Sequence, residues 1–176
     1  ISPSLAARSA DIAPGLKGHY ESPQTTHYSV WDKHGNAVSN TYTLNFSYGS
    51  GIAVTGAGFL LNNEMDDFSS KPGVPNGYGL VGGTANAIEG GKRPLSAMTP
   101  TVVCKEGKPI MATGSPGGST IISVVLQDIL NVLDLDMKVA EGSAVPRLHH
   151  QGLPDQLLLG AGMGVDTRKQ LQAMGH

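Results

Sequence analysis

The sequence predicts an α+β fold in which strand hairpins precede helices. Three observations carry that prediction. Two pairs of β-branched and aromatic runs are each joined by turn residues, and one long apolar stripe at helical spacing follows them. In addition, 24 glycines and 11 prolines among 176 residues mark a chain rich in loops and close backbone approaches.

Taken in order, residues 1–24, ISPSLAARSADIAPGLKGHYESPQ, hold three prolines and no sustained apolar period, so they read as a linker or tail. The composition shifts at Thr25. From there TTHYSVWD and NAVSNTYTLNF flank Lys33-His34-Gly35-Asn36, a hairpin turn that places Thr25 at the start of a strand. After Gly49-Ser50-Gly51 comes GFLLNNEMDDFSSKPGVPNGYGLVGG, where turn residues are frequent and periodicity is weak; long loops of this kind usually serve a site. PTVVCKEGKPIMATG reads as a second hairpin with Glu106-Gly107 at its turn, ending in Gly114-Ser115-Pro116-Gly117-Gly118-Ser119.

The segment STIISVVLQDILNVLDLD then sets Ile121, Val124, Val125, Ile129, Val132 and Leu133 on one face, as a helix packed on a sheet requires. A shorter helix is expected over MKVAEGSA, and Asp166 is the expected N-cap of a helix over TRKQLQAMG. No internal repeat appears.

Composition excludes several functions. Hydrophobic residues make up 39% and charged residues 15%, and twelve Lys+Arg against fourteen Asp+Glu leave a net charge of -2. No basic run could neutralise a row of phosphates, which argues against nucleic-acid binding. Cys104 is the only cysteine, so no intrachain disulfide can form. No apolar run approaches the roughly 18 residues of a membrane span. The start at Ile1, without an initiator Met or signal peptide, leads us to expect a piece of a longer protein, with its targeting segment elsewhere.

Local chemistry leaves several readings open. Thr25 beside His27 offers a hydroxyl nucleophile, yet threonine is common at strand starts, and on that evidence the structural reading prevails. The context favours more. A proline-bearing tail running into a strand that begins with Thr suits a chain that must expose a new N-terminal threonine. The hydroxyl would then attack, and the freed α-amine, with a reference pKa of about 8, would serve as its base. GSPGGS at 114–119 could cradle a phosphate, form an oxyanion hole, or simply turn a strand into a helix; it lacks the Lys of a Walker loop and Rossmann spacing.

Asn62-Asn63-Glu64-Met65-Asp66-Asp67 gathers acceptors that could hold an ammonium or a hard cation, or could be solvated surface. His149-His150, adjacent in sequence, do not converge on one ion, and Cys104 inside an apolar strand reads as a packed thiol. No metal and no cofactor is expected.

The runs TTHYSVWDKHGNAVSNTYTLN, LLNNEMDDFSSKPGVPNGYGLVGG, KRPLSAMTPT, TGSPGGSTII and PRLHHQ, in this order over residues 25 to 152, closely resemble the small subunit of bacterial γ-glutamyltranspeptidases. The resemblance implies a precursor that cuts itself before Thr25, a four-layer αββα N-terminal-nucleophile hydrolase fold to which this chain supplies part, and a heterodimer with the large subunit of the same precursor. Residues 1–24 would then precede the cut. Residues 25–176 would be the catalytic segment, ending before the family's closing strands.

Thr25 matches the nucleophile, and Thr43 matches a threonine that hydrogen-bonds it and assists autoprocessing. Asn45, Glu64 and Asp67 match positions that hold the donor's α-amino group. Ser96 matches a serine that binds its α-carboxylate, with Ala97 next to it, and Gly117 and Gly118 match the oxyanion pair. Many members carry a second serine where this chain has Ala97, and often Gln where it has Glu64, so donor binding here is expected to be retuned.

The implied reaction is γ-glutamyl transfer from glutathione or related donors to water, amino acids or dipeptides, in a bacterial periplasmic or secreted enzyme. The competing readings are a cephalosporin acylase-like amidase, which needs no ammonium-binding loop, and an inactive unprocessed fragment.

Overall fold

The computed structural model describes residues 25–176, so the expected tail at 1–24, with Gln24, lies outside the described residues. Strands β1 (Thr26–Trp31) and β2 (Ala37–Tyr42) pair antiparallel in unbroken register, from Thr26 opposite Tyr42 to Trp31 opposite Ala37. The turn between them is built from its side chains. Asp32 Oδ1 accepts from the backbone N–H groups of His34 (2.8 Å) and Asn36 (2.9 Å), and Gly35 takes the left-handed conformation at φ +88°.

Side chains alternate across the pleat, so His27, Ser29, Ser39 and Thr41 share one face while Tyr28, Val30, Val38 and Tyr42 share the other. The polar face packs inward: Ser39 Oγ donates to the carbonyl of Thr113 at 2.8 Å. The apolar face stays open, with Tyr28, Val30, Val38 and Tyr42 each between 52% and 61% exposed.

Strands β3 (Thr101–Lys105) and β4 (Lys108–Thr113) form the second hairpin. Its turn has two left-handed residues, Glu106 at φ 52° and Gly107 at φ 77°, the geometry that matches the twist of the flanking strands. Val103 pairs with Met111 but Cys104 with Pro109, so Ile110 is an extra residue and the strand bulges. Contrary to the sequence-based expectation, Cys104 is exposed. The pleat turns Val103 inward and sends Cys104 to the outer face with Val102.

A one-turn 3₁₀ segment, Gly118–Thr120, leads into helix α1 (Ile121–Leu133). Ile121 and Val125 are buried, and Val124, Ile129 and Val132 are half-buried. The predicted stripe ends early, since Leu133 at the helix terminus is exposed. In its place the helix buries Asp128, whose carboxylate pairs with the Arg147 guanidinium. Apolar periodicity cannot register a buried charge neutralised from another element.

Helix α2 (Val139–Ala144) lies within the predicted MKVAEGSA segment but starts two residues later, with Lys138 as its N-cap and Glu141 Oε2 accepting the Lys138 N–H at 3.2 Å. Helix α3 spans Val165–Ala173 with Gly164 as its N-cap, so Asp166 lies in the first turn and is not the cap. It still sets a negative charge at the positive end of the helix dipole. The short strands β5 (Leu148–His149) and β6 (Leu158–Leu159) pair antiparallel.

The result is the predicted α+β chain, with three two-stranded sheets among the described residues and the helices after the main hairpins. Among the described residues the buried apolar core is small, consisting of Phe68, Tyr78, Ile121 and Val125, and no helix is long and apolar enough to cross a membrane.

Candidate active site

Thr25 stands half-buried just ahead of β1. Beyond the end of β2, Thr43 and Asn45 return to it. Asn45 is buried with φ 74°, a left-handed conformation that asparagine tolerates better than most residues. Three bonds hold it there. Its N–H donates to Thr43 Oγ1 (3.0 Å), its carbonyl accepts from the Tyr78 hydroxyl (2.7 Å), and its Nδ2 donates to the Asn63 carbonyl (3.2 Å). Because Thr43 Oγ1 accepts from Asn45, the Thr43 hydroxyl keeps its own proton to donate elsewhere.

The acidic run folds into a 3₁₀ turn, Glu64–Asp67. In that geometry residues three apart eclipse, which sets Glu64 and Asp67 side by side. Their carboxyls hydrogen-bond each other, and Glu64 Oε1 is buried without a partner. Burial pushes the Glu64 pKa up to about 7, and the hydrogen bond and charge of Asp67 add to the rise. Asp67 is also raised, by burial and then by the Asp66 charge, against the opposing bond from Glu64. Asp66 has a different task, accepting the Gly77 N–H at 2.9 Å. No cationic side chain of the described residues offsets the Glu64–Asp67 pair. A half-buried acid pair that shares a proton and has no neighbouring cation is suited to receive one.

Opposite the acids runs the Lys92–Met98 segment. Asn86 anchors it, with Oδ1 accepting the Leu95 N–H (3.0 Å) and Nδ2 donating to the Asp67 carbonyl (2.7 Å). Ser96 is exposed at the cavity mouth, and its Oγ accepts the Met98 N–H at 3.2 Å.

The glycine turn closes the site. Gly117 has φ 136° and Gly118 φ 58°, and a Cβ on Gly117 would lie 2.4 Å from Thr120 Oγ1. Thr120 fixes this turn by donating to the Gly117 carbonyl from both N–H (3.1 Å) and Oγ1 (2.7 Å). The chain then enters α1, so the turn presents backbone N–H groups at the positive end of a helix.

One narrow cavity of about 30 Å³ collects Thr25, Thr43, Asn45, Glu64, Asp67, Ser96, Ala97 and Gly118. Gly117 is just outside its lining. Tyr78 and Ser119 also line it, and neither was singled out from the sequence. Tyr78 is placed by long-range contacts: its hydroxyl reaches Asn45, and its ring meets Phe46 edge to face at 5.5 Å. A larger cavity of about 460 Å³ adjoins the first through Asp67, Leu80, Ser96 and Ser119 and extends to His149 and Gln151.

His149 and His150 turn to different partners. His149 lies between Ser123 and Gln151, and His150 between Asp155 and the Gly152 N–H. Among the described residues no group of three His, Cys, Asp or Glu is placed to hold a metal.

This α+β frame is that of the N-terminal-nucleophile hydrolases. A threonine-to-alanine mutant of Helicobacter pylori γ-glutamyltranspeptidase matches it with a TM-score of 0.83 and 60% identity, over 86% of this chain and 82% of that one. The Pseudomonas nitroreducens γ-glutamyltranspeptidase complexed with L-DON gives a TM-score of 0.81 and 51% identity, over 86% and 80%. The glutathione hydrolase proenzyme of Escherichia coli is 58% identical over 171 residues, 97% of this chain and 30% of that protein. That of a Pseudomonas species is 50% identical over 177 residues, 100% of this chain and 31% of that protein.

The family profile described as gamma-glutamyltranspeptidase matches residues 2–176, and the chain belongs to this family. It spans about 30% of the length of these curated relatives.

Proposed function

We propose that this chain is the catalytic segment of a γ-glutamyltransferase and glutathione hydrolase, with Thr25 as nucleophile once the Gln24–Thr25 bond is cut. The observation that carries this reading is the half-buried Glu64–Asp67 pair, unmatched by a cation among the described residues, in the same cavity as Thr25. A γ-glutamyl donor supplies what the pair lacks, an α-ammonium one short side chain away from a reactive amide.

In this reading Asn45, Glu64 and Asp67 hold the ammonium, while Ser96 and the Ala97 N–H hold the α-carboxylate. Thr25 Oγ bonds to the γ-carbonyl carbon as its proton passes to the Thr25 α-amine. The oxyanion is met by the Gly117 and Gly118 amides, and Thr43 orients the attacking hydroxyl. The C–N bond then breaks, the α-amine protonates the leaving amine, and a γ-glutamyl ester remains on Thr25. Water or an amino acid or peptide acceptor releases it.

The relatives' designation as proenzymes supports maturation by autocleavage, and their greater length supports a large subunit from the same precursor as the partner. The open apolar face of β1–β2 is suited to such a partner. A periplasmic or secreted location belongs to the same proposal, and the bacterial relatives support a bacterial source.

The discriminating experiment compares a γ-glutamyl anilide with a glutaryl anilide, which lacks only the α-ammonium, on the complete processed protein. Leaving the half-buried acids unmatched should disfavour the glutaryl compound by about 100-fold in kcat/KM. Equal or faster glutaryl hydrolysis would instead identify an acylase-like amidase.

The acid pair also sets a pH dependence. Below about pH 7 Glu64 holds a proton that an arriving ammonium must expel, so donor affinity should rise with pH. A non-reactive γ-glutamyl analogue should bind about tenfold more weakly at pH 6 than at pH 8, releasing a proton as it binds. Glu64→Gln should flatten the profile. In the empty site the sign is opposite: a carboxyl raised from its ordinary 4.5 to about 7 costs stability as pH rises through that window, and Glu64→Gln should relieve it. An unchanged binding profile in Glu64→Gln would remove Glu64 from ammonium recognition.

A further inference from the structure

The PRLHHQ run has no role in the reaction derived so far, yet it sends Gln151 to Ser119, beside the glycine turn, and His149 to Gln151. Ser119 follows Gly118 directly, is buried, and donates its hydroxyl to Gln151 Oε1. Gln151 Nε2 donates to the Leu153 carbonyl at 2.9 Å, which fixes the amide with Oε1 toward Ser119. His149 Nε2 lies 3.1 Å from the same oxygen. Since a carbonyl oxygen only accepts, that nitrogen carries the proton, and Nδ1 accepts from the Ser123 hydroxyl at 2.7 Å.

The chain of bonds therefore runs from Ser123 through His149 to Gln151, which also receives Ser119. His149 is only 8% exposed and Ser119 only 6%, so these two groups depend on their protein partners more than on bulk water.

Helix α1 clamps the far end. Gln127 Oε1 accepts the Leu148 N–H (3.0 Å), while its Nε2 donates to the Leu148 carbonyl (2.8 Å) and to the Ser123 carbonyl (2.8 Å). β5 is thereby held against the first turns of α1, with His149 opposite Ser123.

We propose that His149 and Gln151 are positioning residues that hold Ser119, and through it the Gly117–Gly118 turn, in the orientation that meets the oxyanion. The proposal rests on the oxyanion role assigned above to the glycine pair. Neither side chain touches the donor; both act by fixing a turn that carries two left-handed glycines and would otherwise have other conformations open to it. Fixed amides favour the transition state over the bound substrate, so the effect belongs in kcat.

The test uses the complete two-chain enzyme, with rates expressed per cleaved protein. His149→Ala should lower kcat for a γ-glutamyl anilide by about 10–100-fold while KM stays within about twofold. His149→Gln puts an amide N–H near the position of Nε2 and should recover most of the loss. Ser123→Ala, which removes one oxygen from a helical surface, should lower kcat less and should add nothing when combined with His149→Ala.

Loss in KM alone, failure of glutamine to rescue, or simple additivity of Ser123→Ala with His149→Ala would overturn the proposal. If His149→Ala does not assemble, Ser123→Ala decides alone: an unchanged kcat refutes the relay. Gly117→Ala separates the two levels. If it retains full kcat, the oxyanion reading itself fails; if it is impaired while His149→Ala is not, only the positioning role fails.

Discussion

Replacing Thr25 by alanine in the complete precursor is expected to leave one uncut chain without measurable γ-glutamyl turnover, a loss of at least about 10⁴-fold. In the proposed mechanism two events depend on the same hydroxyl: it would attack the preceding carbonyl to cut the chain, and after the cut it would attack the donor with its own α-amine as base. Intact mass and N-terminal sequencing read the first event, and anilide hydrolysis the second. A Thr25→Ala protein that still acquires a terminus at residue 25 would place the cutting chemistry elsewhere. A natural precursor that turns over donor while remaining uncut would deny the α-amine its role.

Gly117→Ala is expected to cost about 100- to 1,000-fold in kcat with little change in KM. A Cβ there would lie 2.4 Å from Thr120 Oγ1, and φ 136° is a conformation that L-residues rarely adopt. Either Thr120 gives up its bonds to the Gly117 carbonyl or the turn rotates, and both redirect the amides. In the proposed mode the donor's charged ends bind on other loops, so KM should be largely spared. Stopped-flow measurement of ester formation should locate the defect in acylation. A normal acylation rate would mean that the oxyanion is stabilised by other groups.

Both hairpins, with their turns at 32–36 and 106–107, were legible because local chemistry decides them: an aspartate that accepts two backbone N–H groups, and left-handed residues where the strands reverse. The long helix was legible from its period. The misreadings share a cause. Cys104 and Leu133 lie in apolar runs whose last members turn outward, Asp128 is buried because Arg147 arrives from nineteen residues away, and Asp166 was displaced as cap by a helix that begins two residues earlier than expected.

The candidate site followed the same pattern. Thr25 alone was an ordinary strand-start threonine, and only the ordered motifs singled it out. Tyr78, Ser119, His149 and Gln151 stand in the quoted motifs, but their partners were not legible, since they lie 33, 32 and 26 residues away along the chain.

The outer side of the first hairpin keeps Tyr28, Val30, Val38 and Tyr42 half open to solvent while its polar side chains point inward. If the cover is the rest of the same precursor, docking begins as an intramolecular event, governed by effective concentration and indifferent to dilution. Cutting at residue 25 then changes the order of the reverse process without changing a contact. Once separated, the two products must find each other bimolecularly, so subunits kept apart should regain activity at a rate that depends on concentration, unlike the original maturation.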